Sequence, residues 1–289
     1  MKPWSTQSSR LVYFTLYLVA VVIAAVAYRL LPGEPSIQRL LLASAIASGA
    51  LFVAGLYLKN SGTYDVYWSI VPILYGFLWM GEANAWSSPR ALLALFVTVF
   101  WGLRLTYNWA HHFKTFDIED WRYVDLRKKT GRAYPIASLF ALYGLPFTLV
   151  SLGTLPLHAA IHSTAPLGAL DYAGLVLGVV ATVLEAVSDV QLSRFRKENR
   201  DPANFLQTGL WAYSRHPNYC GEALYWWASA LFGLAVSPSF LMCAGAAGVS
   251  AMILFASIPM AEERALAKRP SFADYQRRVS RLIPFFPRS

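Results

Sequence analysis

The stretch from residue 11 to residue 31 reads LVYFTLYLVAVVIAAVAYRLL, in which Arg29 is the single charged side chain. A helix needs about 20 predominantly apolar residues to cross the hydrocarbon core of a bilayer. This stretch is long enough, and we predict that it forms a membrane-spanning helix. It is not typical of a cleaved signal peptide, because its apolar run is too long and no convincing small-residue cleavage site follows it.

Apolar stretches of similar length recur through the 289 residues of the chain. Seven further stretches are candidate spans: residues 38–58, 65–82, 90–109, 135–158, 168–191, 219–236 and 239–259. The last two are joined by Ser237-Pro238-Ser239, and serine and proline at such a joint predict a tight helical hairpin. We therefore expect an all-α fold, a polytopic transmembrane helical bundle of about eight helices, with seven helices as the alternative.

The composition supports a membrane protein and excludes several other classes. Hydrophobic residues make up 56% of the chain and charged residues 14%, whereas a soluble domain carries about 25% charged residues. So much apolar surface is incompatible with intrinsic disorder. Cys220 and Cys243 lack the spacing of a redox or metal site, and one pair would not staple a chain of this length. In so apolar a chain, a net charge of +9 indicates basic loops facing anionic lipid or phosphate rather than nucleic acid.

The distribution of lysine and arginine predicts the orientation in the membrane. Residues 104–132, 194–215 and 264–289 hold 19 of the 25 basic residues. An even number of predicted helices separates neighbouring segments, so all three can lie on the cytoplasmic side. Counting back places the N-terminus, with Lys2 and Arg10, on that side too. We expect an integral multi-pass protein with cytoplasmic termini and basic loops, in the inner (plasma) membrane if the source is bacterial.

Ionisable residues within or at the ends of the apolar spans indicate an internal polar site. A charge in the bilayer costs at least a few kcal/mol, so such residues tend to face a polar cavity or one another. Arginines beside aromatic rings suit a phosphorylated, aromatic ligand, although positive loops with an aromatic belt would also have this composition. The ionisable residues within or at the ends of the predicted spans are Asp65, Arg104, Glu185, Asp189 and Glu222.

The motifs of other nucleotide and metal sites are missing from the sequence. No G-x-G-x-x-G follows a strand, and neither a Walker A loop nor H-E-x-x-H occurs. His158 and His162 could share a helix face, but with no third ligand in view they favour an interfacial pair over a metal site. No metal is therefore predicted.

Residues 209–222 read GLWAYSRHPNYCGE. This segment resembles the G-L-W-x-Y-S-R-H-P-N-Y-x-G-E block of the DUF1295 membrane proteins, relatives of the steroid 5-alpha reductases, in whose shared C-terminal domain the block lies. Further similar stretches are WGLRL at 101–105 with EDWRY at 119–123, DVQL at 189–192 with FR at 195–196, and FADY at 272–275 with LIPFF at 282–286. The resemblance covers roughly residues 60–289. It implies a reductase-like membrane domain over 61–289, while residues 1–60 lie outside the clearest resemblance and are predicted to be N-terminal transmembrane helices of the same structural unit.

The resemblance implies an enzyme that uses NADPH to reduce a carbon–carbon double bond conjugated to a ketone, in a hydrophobic small molecule or lipid. The resemblance implies that Arg104 binds the cofactor and that Asp189 and Arg196 bind its adenosine and phosphate. It places Asn218 and Glu222 near the nicotinamide amide. Four further residues are implied to line the cofactor pocket: Tyr213, Arg215, His216 and Tyr219.

The substrate side departs from the pattern of the steroid reductases. Tyr64-Asp65 stands where they carry a substrate-binding glutamine–glutamate pair, and Trp101 replaces a tyrosine three residues before the arginine. Since tryptophan has no hydroxyl that could protonate an enolate, we expect Tyr64, Asp65 or Tyr67 to supply the proton.

Two other functions stay open at this point. The short R-H-P-x-Y core also occurs in isoprenylcysteine and phospholipid methyltransferases, which use S-adenosylmethionine. A non-enzymatic membrane protein that keeps the pocket for binding is the second alternative, and the tryptophan at position 101 is its best support.

Overall fold

The computed structural model describes residues 4–33, 37–199 and 201–287. Within them the chain forms nine helices and no β-strand longer than the isolated bridge between Ser214 and Ser280. The predicted all-α fold is therefore confirmed. Lys2, which contributes to the topology prediction, lies outside the described residues, as do residue 200 and residues 288–289 of the basic segments.

The helices follow the apolar stretches of the sequence. Their bounds are α1 Thr6–Leu30, α2 Ile37–Leu58, α3 Tyr67–Glu82, α4 Pro89–His112, α5 Trp121–Ile161, α6 Ala169–Glu198, α7 Pro217–Leu234, α8 Leu241–Lys268 and α9 Phe272–Arg278. All eight predicted spans are helical. The Ser237-Pro238-Ser239 joint leaves the helical conformation between α7 and α8, which pack against each other as the predicted hairpin.

Six of these helices, namely α1, α2, α4, α5, α6 and α8, are long and apolar enough to cross a membrane. This supports a multi-pass membrane protein. The 16 residues of α3 rise only about 24 Å, which is less than the hydrocarbon core of about 30 Å. The 18-residue α7 is less apolar and buries much of its surface inside the protein. That α3 and α7 also cross the membrane, as a count of eight spans requires, stays a prediction.

Helix α5 begins well before the predicted span at 135–158. Asp120 caps it, because its carboxylate accepts a hydrogen bond from the backbone N–H of Arg122 at 2.9 Å. The helix then continues through a tight turn at Gly131–Ala133 and a wide π turn at Leu139–Gly144. Helix α5 therefore begins with a polar, basic segment, which a search for apolar stretches does not detect.

The chain divides into two compact units. The first unit comprises Met1–Val71 and Thr106–Ser151, and the second comprises Pro72–Leu105 and Leu152–Ser289. Helices α3, α4 and α5 contribute residues to both units. The predicted boundary at residue 60 is not one of these divisions and stays a prediction.

In the second unit, α6 and α7 approach each other closely because Gly221 lies at their contact. A Cβ atom at this position would lie 2.7 Å from the carbonyl oxygen of Ala181 and 2.7 Å from Cβ of Glu185. The absence of a side chain therefore lets the two backbones meet. The same contact brings the polar end of α6 beside the first turns of α7.

In the first unit, the turn that follows α2 is fixed by side-chain hydrogen bonds. Asn60 donates to the carbonyl oxygen of Phe116 at 2.8 Å, and the backbone N–H of Ser61 donates to Glu119 at 2.8 Å. The 3₁₀ turn Ser61–Tyr64 follows directly. This turn presents Tyr64 and Asp65 ahead of α3.

Candidate functional site

Three of the predicted cofactor residues lie together in the second unit, around Arg104. Its guanidinium contacts Asp189 at 2.7 Å and Glu185 at 2.5 Å. Asn218 donates to the other oxygen of Asp189 at 3.3 Å. Residues from α4, α6 and α7 therefore form one hydrogen-bonded group, and all three ionic side chains are at most 14% exposed.

Glu222 completes this group, which we call the arginine cluster: Arg104, Glu185, Asp189, Asn218 and Glu222. Its two carboxylate oxygens accept hydrogen bonds from the indole N–H of Trp101 at 3.0 Å and from that of Trp226 at 2.9 Å. Glu222 also interacts electrostatically with Arg104. Trp101 is thus a donor to a partly buried carboxylate, and its ring stacks on that of Tyr225 with the ring centroids 3.7 Å apart.

The arginine cluster combines three carboxylates with a single guanidinium. Two of its buried atoms, Oε2 of Glu185 and Nε of Arg104, have no hydrogen-bond partner among the described residues. The carboxylates can accept from hydroxyl, amide or cationic groups, whereas two acids already neutralise the guanidinium. The chemistry of the cluster therefore fits the ribose hydroxyls and the carboxamide of a nucleotide cofactor better than its phosphates.

Arg196 is a second arginine of the predicted cofactor site, and its surroundings differ from those of Arg104. It lies seven residues after Asp189 on α6, hence on the same face and about 10 Å further along the axis. It is exposed and forms no hydrogen bond or ion pair with another described residue. Its neighbour Arg194 is paired with Glu198 at 2.8 Å. Arg196 is thus available for an anionic ligand.

Arg215 and His216 lie in a second buried network of the same unit. Nε of Arg215 donates to Glu262 at 2.7 Å, and Nε2 of His216 donates to the same oxygen at 3.0 Å. Glu262 was not among the predicted site residues, because the predicted span ended at residue 259. In the structure α8 continues to Lys268, and extending the span would have marked this acid in the same way as Glu185.

The two predicted wall tyrosines differ in their surroundings. Tyr219 is partly buried, and its ring is stacked with that of His216 at 5.5 Å. Tyr213 is 43% exposed and has its ring 6.0 Å from Phe286. Tyr219 therefore belongs to the protein interior next to Asn218, whereas Tyr213 packs on the C-terminal segment.

The predicted catalytic residues lie together in the first unit. Tyr64 and Tyr67 are buried and stacked at 4.3 Å, and the Tyr64 hydroxyl lies 3.0 Å from that of Ser48. Asp65 accepts a hydrogen bond from the hydroxyl of Tyr123 at 2.5 Å. We call Tyr64, Asp65, Tyr67 and Tyr123 the tyrosine cluster. Tyr123 was visible in the sequence only as part of the EDWRY stretch.

The environment of Asp65 favours its protonated form. Burial raises the pKa of this carboxyl to about 6, and the hydrogen bond from Tyr123 offsets only part of that rise. Asp65 lies between α2 and α3, outside the six candidate spans. A carboxyl that titrates near neutral pH can act as a proton donor or acceptor.

The side chains of the described residues include no group of three or more His, Cys, Asp or Glu placed to hold a metal ion. His158 lies in the last turn of α5 and His162 directly follows the end of that helix, with their rings 4.1 Å apart.

Comparisons with known proteins agree with the resemblance to DUF1295. The model of that family, described as "Protein of unknown function (DUF1295)", matches residues 51–279. An uncharacterized protein of Schizosaccharomyces pombe is 28% identical over an alignment 273 positions long, and the alignment covers 86% of this chain and 78% of that protein. No solved structure matches the chain. The family prediction from the block at 209–222 is confirmed: the chain belongs to the DUF1295 family of proteins.

Proposed function

We propose that this protein is a membrane-embedded reductase that uses NADPH to reduce a carbon–carbon double bond in a hydrophobic enone or a similar lipid. The observation that carries the proposal is the arginine cluster, in which buried polar atoms of Arg104 and Glu185 lack partners among the described residues. NADPH, when bound, would supply the hydride for the double bond. The relation to the steroid 5-alpha reductases is part of this proposal.

The arginine cluster and Arg196 divide the work of holding the cofactor. Glu185 and Asp189 accept hydrogen bonds from hydroxyl groups, and the amide of Asn218 both donates and accepts. Arg196 offers an unpaired guanidinium, which grips phosphate oxygens through two parallel hydrogen bonds. This division follows from charge, because Arg104 is already neutralised whereas Arg196 is not.

The tyrosine cluster is the proposed source of the proton. With its pKa raised to about 6 by burial, Asp65 retains a protonated fraction near neutral pH that can stabilise a developing enolate. Tyr123 donates to one oxygen of Asp65 and thereby fixes the orientation of the carboxyl. Tyr64 and Tyr67 are the alternative donors, because their hydroxyl groups can protonate an oxyanion.

One observation favours a second candidate, a methyltransferase that uses S-adenosylmethionine and acts on a lipid thiol, amine or carboxylate. The arginine cluster has more carboxylates than cations, and such an excess attracts a positively charged sulfonium. The R-H-P-x-Y core at residues 215–219 is compatible with this candidate as well.

Binding of each cofactor to the purified full-length protein in detergent separates the candidates. Isothermal titration with NADPH, NADH and S-adenosylmethionine is expected to show binding of NADPH and none of S-adenosylmethionine. Binding of S-adenosylmethionine alone would replace the reductase with the methyltransferase. Binding of none of the three would leave the non-enzymatic alternative.

Arg196→Ala makes this experiment sharper. The loss of an arginine–phosphate contact costs about 1.5–3 kcal/mol, so this variant should weaken NADPH far more than NADH. Arg194→Ala is the matched control, because Arg194 is exposed on the same helix and paired with Glu198. Equal weakening of both nucleotides would show that Arg196 does not bind the 2′-phosphate.

A further inference from the structure

We propose that Glu262 is a positioning residue, which holds the segment Arg215–Tyr219 in the orientation that cofactor binding requires. This inference rests on the proposed function and extends it to α8, from which no cofactor residue was predicted. Glu262 acts through Arg215 and His216 rather than by touching a ligand.

A single buried carboxylate collects donors from two separate parts of the second unit. Oε1 of Glu262 accepts from Arg215 at 2.7 Å and from His216 at 3.0 Å, while Oε2 accepts from the side chain of Gln276 at 2.8 Å. Glu262 is only 9% exposed. A hydrogen bond between a carboxylate and a guanidinium is stronger and shorter than a neutral one, and the carboxylate of Glu262 therefore holds Arg215 closely while its other contacts hold His216 and Gln276.

The contacts of Arg215 assign it to this network and not to a phosphate. Besides Glu262, its guanidinium donates to the carbonyl oxygens of Gln276 and Val279, both at 2.6 Å. Its backbone N–H donates to the carbonyl oxygen of Ser280 at 2.9 Å. Protein acceptors therefore surround the guanidinium of Arg215 on several sides. We assign Arg215 a structural role in place of its predicted role in lining the cofactor pocket.

The contacts of His216 carry the constraint to the start of α7. His216 is the residue before Pro217, the first residue of the helix. Its ring, held by Glu262, is stacked with that of Tyr219 at 5.5 Å and an interplanar angle of 8°. Fixing this ring therefore fixes the first turn of α7, on which the proposed cofactor ligands begin.

Asn218 joins this first turn to the arginine cluster. It donates to Asp189, and Asp189 in turn contacts Arg104 at 2.7 Å. A continuous series of contacts thus runs from Glu262 through residues 215–219 to the proposed cofactor ligands, entirely within the second unit. A displacement of the segment would shift the amide of Asn218 relative to Asp189.

The decisive variant is Glu262→Gln in the full-length protein, because it removes the charge but preserves the size of the side chain. Glu263→Gln is the matched control, since Glu263 is the next residue on the same helix and is exposed. NADPH affinity is measured by titration well below the unfolding temperature of each cofactor-free variant. Protein labelled with ¹⁵N-histidine reports the hydrogen bond at Nε2 of His216 directly.

We expect Glu262→Gln to weaken NADPH by about tenfold, because small displacements of positioned groups have large effects on binding geometry. The ¹⁵N resonance of His216 should shift in the same variant, and Glu263→Gln should change neither quantity. An unchanged NADPH affinity in folded Glu262→Gln would overturn the inference, even if its unfolding temperature fell, because the network would then be structural alone. An unchanged His216 resonance would overturn it as well.

If Glu262→Gln does not fold, Glu262→Asp decides the question. It keeps a negative charge facing Arg215 but withdraws the carboxylate from His216 by one methylene, and it should weaken NADPH by about threefold or more. Wild-type affinity in this variant would overturn the inference. Failure of the wild type to bind NADPH would instead remove the proposed function, and the inference with it, so the two failures are distinguishable.

Discussion

The arginine cluster and the tyrosine cluster both contain buried or partly buried acids, but they balance the charge of those acids differently. In the arginine cluster, Arg104 stands between Glu185 and Asp189, and Glu222 is held by two indoles. In the tyrosine cluster, Asp65 accepts from the phenol of Tyr123, with no cation as its hydrogen-bond partner among the described residues. Ion pairing favours fixed charges, whereas a phenol partner leaves the carboxyl free to take up a proton.

This difference suggests different work for the two clusters. An arginine paired with two acids in the protein interior is costly to disturb and therefore suits a rigid binding scaffold. A partly buried acid whose pKa is raised to about 6 suits the uptake and release of a proton. Substitutions in the arginine cluster should therefore lower the free energy of unfolding, whereas substitution of Asp65 should change how that free energy depends on pH. The following predictions test that contrast.

The largest effect is expected from Arg104→Ala. Removing the guanidinium leaves Glu185 and Asp189 buried without their cation, which costs about 3–5 kcal/mol of the free energy of unfolding. Denaturant unfolding of the detergent-solubilised protein, followed by circular dichroism, measures this loss. Arg194→Ala is the control, because its ion pair with Glu198 is exposed and its removal should change little. Similar losses in the two variants would contradict the account of the arginine cluster.

The second largest effect is expected from Gly221→Ala, which tests the packing that assembles the arginine cluster. The added methyl group would meet the carbonyl oxygen of Ala181 at 2.7 Å, and backbone cannot move aside as a flexible side chain can. Overpacking of this kind costs about 3 kcal/mol. NADPH affinity should fall too, because the displaced α7 carries Asn218.

Gly49→Ala is the matched control for this substitution. Gly49 lies inside α2, and a Cβ atom added there would meet no neighbouring atom within 4 Å. Alanine also favours a helix by about 1 kcal/mol over glycine, so the unfolding free energy of this variant should be unchanged or slightly higher. A Gly221→Ala protein as stable as the wild type would mean that α6 and α7 do not depend on their close contact.

Four of the five ionisable residues that the sequence places in or beside apolar spans meet in the arginine cluster: Arg104, Glu185, Asp189 and Glu222. The high cost of burying a charge made this convergence predictable. The particular pairings were not predictable, since Arg104 and Asp189 are 85 residues apart and no helical periodicity relates them. Trp101 illustrates the limit, because its indole bond to Glu222 forms only when α4 and α7 are packed together.

Errors in the predicted ends of helices explain why some residues were missing from the predicted site. The predicted end of a span at residue 259 excluded Glu262, and hydropathy gave no sign that Asp120 would start α5 at Trp121. The resemblance selected Arg215 and His216 as members of one sequence block, but their partner lies 47 and 46 residues away. Local patterns predicted the helices, whereas the side-chain network depends on how distant helices pack.

A smaller effect is expected from Glu222→Gln. Both oxygens of Glu222 accept from indoles, but glutamine has a single acceptor oxygen and its amide group would face a second donor. The unmet indole N–H should cost about 2 kcal/mol of unfolding free energy. Trp227→Phe is a suitable control, because the indole of Trp227 donates to Ser250 at a more exposed position. Full stability of Glu222→Gln would show that the indoles do not hold the carboxylate.

The smallest effect, and the one that separates the two clusters most directly, is the pH dependence of Asp65→Asn. Because the folded protein raises the pKa of Asp65 from 3.8 to about 6, it binds the proton more tightly than the unfolded chain does. The stabilising contribution of Asp65 is then complete below pH 4 and is lost as the pH rises through 6. Asparagine keeps an acceptor for Tyr123 but carries no charge at any pH.

The unfolding free energy of Asp65→Asn relative to that of the wild type should therefore increase by about 1 kcal/mol between pH 4 and pH 8, a value reduced for the partial exposure of the carboxyl. Denaturant unfolding at several pH values measures it. Asp274→Asn provides the comparison, because Asp274 lies on an exposed helix surface paired with Arg277 and should show no increase of this kind. A difference between Asp65→Asn and the wild type that stays constant from pH 4 to pH 8 would mean that the carboxyl titrates normally, and the tyrosine cluster would then lose its role as a proton source.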